Sequence, residues 1–173
     1  MRLDYLWHGL PGHPVHPPMT DATIGAYTFA TVMAVVDAIG LAEQNAAKAW
    51  WLALVVGLIF TVPTALTGLL DWLTLTRWTP LWRTATTHLV VMVSATVFFG
   101  LAAIVGHGPY VDGNVTAGPL VLTLVGWVVL TVGGWIGGTI TFVHGMRVLG
   151  LPSEPSRRAM APVPYPEKEL AEE

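Results

Sequence analysis

Four apolar runs dominate this chain, at roughly 22–42, 49–71, 87–106 and 119–144. Each reaches the length of about 18 residues at which an apolar helix can span the hydrocarbon of a bilayer. Lipid offers no partner to backbone N–H and C=O groups, so each run must satisfy its own hydrogen bonds as a helix. Charged residues are only 11% of the sequence, less than half the roughly 25% of a soluble domain. The expected fold is therefore all-α, an integral membrane four-helix bundle with short connections. A His/Pro-rich head over 1–20 precedes the transmembrane domain over 21–150. A Pro/Glu-rich tail over 151–173 reads as disordered.

The absence of cysteine removes disulfides, thiolate haem ligation and iron–sulfur clusters from this chain. A net charge of −3 argues against a nucleic-acid partner. Residues 1–20 hold too many prolines and histidines for the apolar core of a cleavable signal. With four spans, both termini share one side with the link between the second and third spans. Arg2, Arg77, Arg83, Arg147, Arg157, Arg158 and Lys168 fall on that side, and Lys48 alone on the other. The positive-inside rule then puts both termini in the cytoplasm.

The head contains Gly12-His13-Pro14-Val15-His16-Pro17-Pro18. Each histidine precedes a proline, which favours extended backbone. A polyproline-like run would set both rings on one side about 9 Å apart. Thr20 or Asp21 is expected to cap the first helix, and Trp50 and Trp51 to anchor the second at the interface. Asp37 is expected near the outer interface, and residues 73–86 as an amphipathic surface piece.

Topology alone brings His13, His16, Asp71, His88 and His144 to one end of the bundle. At 100° per residue, Gly126, Gly133, Gly137 and His144 fall within about 40° of one another. His88, Met92, Ala95 and Phe99 share a face by the same arithmetic, as do Thr64, Thr67, Gly68 and Asp71. Each feature also has a plainer reading. The glycines can be helix packing, the histidines interfacial hydrogen-bonders, and Asp71 a partner of Arg77 or Arg83. Together they mark an intramembrane site. Two imidazoles suit the axial positions of a b-type haem. Imidazoles with a carboxylate suit Fe, Cu or Zn, and a quinone could use the same groups as hydrogen-bonders. Only His107 lies at the opposite end, so at most one haem is expected.

These motifs resemble the DUF2231 family of bacterial four-helix membrane proteins, over about residues 9–150. The matching residues are Gly12-His13-Pro14-Val15-His16-Pro17, Asp37, Gly68 with Asp71-Trp72, His88, Gly137-Gly138, Phe142, His144-Gly145 and Val148. The family often has Asn where this chain has Met92. Some members are fused to a Rieske-type iron–sulfur domain, which implies redox company. The expected location is a bacterial inner (cytoplasmic) membrane.

The expected function is a redox-associated membrane subunit, in electron transfer rather than as a stand-alone enzyme. It would bind one b-type haem, or a metal ion, through His16, His88 and His144. His13 and Asp71 would orient ring nitrogens, and Gly137 would give room for a flat ring. The alternative is a cofactor-free accessory subunit of a larger respiratory complex. The expected partners are the lipid bilayer and other membrane or redox subunits. A transport role is weaker, because Thr and Ser are the main polar residues between the two ends.

Overall fold

A computed structural model describes residues 5–162; Arg2, Lys168 and the expected tail's residues 163–173 lie outside them. In chain order the elements are α1 (Tyr5–His8), β1 (Gly9–Leu10), β2 (His13–Pro14), α2 (His16–Ala38), α3 (Glu43–Leu73), α4 (Pro80–Val105), α5 (His107–Asp112), α6 (Ala117–Phe142) and α7 (Ser156–Ala159). The helices α2, α3, α4 and α6 are the four long enough and apolar enough to cross a membrane. Chains such as Phe29, Ile59, Val90, Ile104 and Trp135 point outward, as lipid-facing positions should.

The head departs from the expected extended collar. His13-Pro14 pairs with Gly9-Leu10 in a short antiparallel hairpin, and only Gly fits at position 9, where φ is +83°. His16 is already helical, with Pro17 and Pro18 in the first turn of α2. The first turn's N–H groups have no helical partner, so proline loses nothing there. Thr20 does not cap the helix; its hydroxyl donates to the His16 carbonyl at 3.0 Å. The surface piece is also shorter than expected. Thr79 accepts from the Trp82 N–H at 3.2 Å and starts α4 at Pro80.

The bundle consists of two antiparallel hairpins, α2 against α3 and α4 against α6. Small residues line the seams: Ala30, Ala34, Ala95 and Ala102 are fully or almost fully buried, which lets backbones approach closely. Trp50 belongs to this core rather than to the interface. It is wholly buried, with its indole N–H donating to Thr123 Oγ1 at 3.1 Å. At the far end Trp51 stacks on Tyr110 at 4.5 Å, and Asp37 Oδ2 accepts from the Val115 N–H at 2.7 Å.

The two hairpins repeat one another. His16 and Tyr27 in α2 are eleven residues apart, as are His88 and Phe99 in α4. Gly57, Thr64 and Gly68 in α3 have the spacing of Gly126, Gly133 and Gly137 in α6. The Tyr27 and Phe99 rings stack at 3.9 Å with 7° between planes. Equivalent positions of the two hairpins thus meet in the core, a pattern that resembles membrane proteins built from internal repeats.

Candidate functional site: a cavity between two matched histidines

One end of the bundle holds a partly open cavity of about 200 Å³. Its walls are mainly apolar, and its polar groups converge from all four long helices and the loop after α6. His16, His88, Asp71, Gly137 and Arg147 all line it.

The two histidines are held in the same way. His16 Nδ1 lies 3.1 Å from the Thr64 carbonyl and 3.1 Å from Thr67 Oγ1. His88 Nδ1 lies 2.9 Å from the Gly133 carbonyl. A carbonyl can only accept, so each Nδ1 carries a proton, and in the neutral ring Nε2 is then the nitrogen with the lone pair. Thr20 Oγ1 is 3.5 Å from His16 Nε2, beyond a good O–H···N length. One helical turn beyond each carbonyl sits a glycine that the ring covers. A Cβ on Gly68 would fall 2.7 Å from His16 Cε1, and one on Gly137 would fall 3.0 Å from His88 Cε1. The carbonyl sets each ring's tautomer and the glycine sets its depth. Met92 fills the space over Gly133 with its sulfur and also lines the cavity.

Asp71 takes a different role from the histidines. Its side chain is 9% exposed, and Oδ1 accepts from His8 Nδ1 at 2.7 Å and from the Arg147 guanidinium. It does not pair with Arg77 or Arg83. The bond ties α1 and the turn after α6 to the end of α3, at the rim of the cavity. Arg147 holds this position with φ at +62°, a left-handed backbone that a non-glycine residue adopts only under constraint.

Two residues expected at the site lie elsewhere. His13 is exposed, and its Nε2–H donates to the Ala161 carbonyl at 3.2 Å. Helix α6 ends at Phe142, so the helical arithmetic that put His144 on the glycine face runs two residues too far. His144 Nε2 instead shares a 3.0 Å hydrogen bond with Thr84 Oγ1. The set His16, His88 and His144 therefore does not come together. Among the described residues, no group of three or more His, Cys, Asp or Glu could hold a metal ion.

Three participants were not expected from the sequence. The repeat, with Tyr27 against Phe99, has a signal in two equal His-to-aromatic spacings. Arg147 has a weak one, as a cation just past the last apolar run. His8 has none, because nothing local links it to a carboxylate sixty-three residues away.

A family model described as "Predicted membrane protein (DUF2231)" matches residues 12–150. No curated protein and no solved structure matches the chain.

Proposed function

We propose that this chain, which belongs to the DUF2231 family of predicted membrane proteins, is a redox-associated membrane subunit that holds one b-type haem between His16 and His88. The observation that carries the reading is the matched pair of imidazoles. Each has its Nδ1–H committed to a backbone carbonyl, and both line one cavity. Histidines that ligate metals almost always donate their other N–H in this way, which fixes the tautomer and raises ligand basicity.

The matched anchoring of the two histidines supports haem over a bare ion. Haem brings its own equatorial nitrogens and asks the protein only for axial ligands. A Zn, Fe or Cu ion held by side chains would need a third or fourth protein ligand, and the described residues supply no such group. Bound haem would supply one-electron chemistry. The chain's own residues would orient the ligating Nε2 atoms and keep water away with an apolar wall. The cations Arg77, Arg83, Arg157 and Arg158 favour the cytoplasmic side of a bacterial inner membrane for this end. A redox partner would then meet it there.

The test is a visible spectrum of the detergent-purified protein, with haem supplied during expression. Wild type should show a Soret band that His16→Ala and His88→Ala each abolish and that His13→Ala and His144→Ala leave in place. If wild type still lacks the band after haem is added back, the reading fails, and a cofactor-free accessory subunit takes its place.

A further inference from the structure

The turn between α3 and α4, residues 74–79, carries features that the cavity does not use. Trp78 is 72% exposed and holds φ at +69°. A bulky residue in the left-handed region is strained, and such strain persists only where something compensates for it. Among the described residues, the Trp78 ring meets one other ring, Trp82, at 5.0 Å. Trp82 in turn lies 6.0 Å from Trp72, whose indole N–H is anchored on Thr86 Oγ1 at 2.9 Å. The result is a ladder of three indoles leading outward from the end of the bundle.

Arg77 and Arg83 flank this ladder, and both are exposed. Among the described residues neither forms an ion pair with a carboxylate. Residues 72–111 contain no Asp or Glu, and the preceding carboxylate, Asp71, is committed to His8 and Arg147. Two exposed arginines are thus the direct sequence neighbours of Trp78 and Trp82, at the turn that joins two spans. Among the described residues no carboxylate serves as their counter-anion. Guanidinium pairs well with phosphate, and indole settles at the headgroup boundary.

We propose that the α3–α4 turn is a binding site for anionic phospholipid, with Arg77 and Arg83 on the headgroup phosphate and Trp78 inserted beside the upper acyl chains. The membrane supplies the contacts that hold Trp78 in its strained conformation. Of the ladder Trp72 also lines the cavity, whereas Arg77, Trp78, Trp82 and Arg83 do not.

The test titrates short-chain phosphatidylglycerol into the detergent-purified protein and follows the thermal unfolding midpoint. Phosphatidylglycerol should raise the midpoint saturably, while phosphatidylcholine and inorganic phosphate should not. At about 1 kcal/mol per cation near an anionic surface, the Arg77→Gln/Arg83→Gln variant should need roughly 10- to 30-fold more phosphatidylglycerol. Trp78→Gly should raise the midpoint in phosphatidylcholine, because glycine accepts positive φ, while weakening the response to phosphatidylglycerol. Equal stabilisation by phosphatidylcholine, stabilisation by inorganic phosphate alone, or an unchanged response in the double-arginine variant would overturn the proposal. So would a lower midpoint for Trp78→Gly in phosphatidylcholine.

Discussion

Asp71→Ala should lower stability by about 3 kcal/mol, the lower end of the 3–5 kcal/mol typical of removing one partner of a buried ion pair. The lower end applies because Arg147 keeps 27% of its side chain exposed, so water recovers part of the lost interaction. The loss removes the one carboxylate that His8 Nδ1 and the Arg147 guanidinium both contact, at the rim of an apolar cavity. It also unties α1 and the turn after α6 from the end of α3. Arg147→Ala should cost less, because the remaining carboxylate keeps His8 as its donor at 2.7 Å. The double variant Asp71→Ala/Arg147→Ala should be more stable than the sum of the two losses, since each single variant already removes the contact that the two residues share. Denaturant unfolding in detergent reads all three. A single Asp71→Ala loss under about 0.5 kcal/mol, the range of ordinary surface substitutions, would show that the node carries no structural load.

The second large effect distinguishes the two halves of the repeat. A Cβ on Gly57 would fall 2.6 Å from Tyr27 Cε1, whereas its counterpart on Gly126 would fall 3.1 Å from Phe99 Cε1. Tyr27 cannot retreat. It is 1% exposed, stacked on Phe99, and pinned by a 2.8 Å hydrogen bond between its hydroxyl and Thr61 Oγ1. Gly57→Ala should therefore cost about 1–3 kcal/mol, the usual penalty of overpacking. Gly126→Ala needs a few tenths of an ångström from Phe98 Cβ at 3.2 Å and from Phe99, which has no hydroxyl to lose. The gain of about 1 kcal/mol from replacing glycine in a helix should nearly cancel that strain. Thermal unfolding of the two variants side by side checks the asymmetry. Equal losses would mean that the Tyr27 hydroxyl does not hold its ring.

Much of the site is legible in the sequence, and the reason is topological. In an up-and-down bundle the depth of a residue follows from its position within its own span. His16, Asp71 and His88 sit at span ends on one side, so their convergence needs no knowledge of packing. Helical periodicity likewise identifies the faces of Gly68 and Gly137. Depth and periodicity both mislead where the backbone leaves the helical pattern. His144 lies two residues past the end of α6, and His13 lies in a two-residue strand. The prolines mislead for a related reason. They signal extended backbone in mid-chain, but at the first turn of α2 they are compatible with a helix. Trp50 is misplaced because a tryptophan at a span end reads as an anchor unless a hydroxyl such as Thr123 Oγ1 lies within reach of its N–H.

The order of residues alone sets the number of spans, the helical class and the end of the bundle where the ionisable groups gather. These follow from runs of apolar residues and the need to satisfy backbone hydrogen bonds in lipid, and both are local properties. Packing between the helices settles which histidines face one another, which carbonyl fixes each tautomer, and that Asp71 belongs to His8 and Arg147. Those outcomes depend on how α2 sits against α3 and α4 against α6, and on where each helix ends. Such contacts between distant segments leave almost no trace in the residues on either side of them.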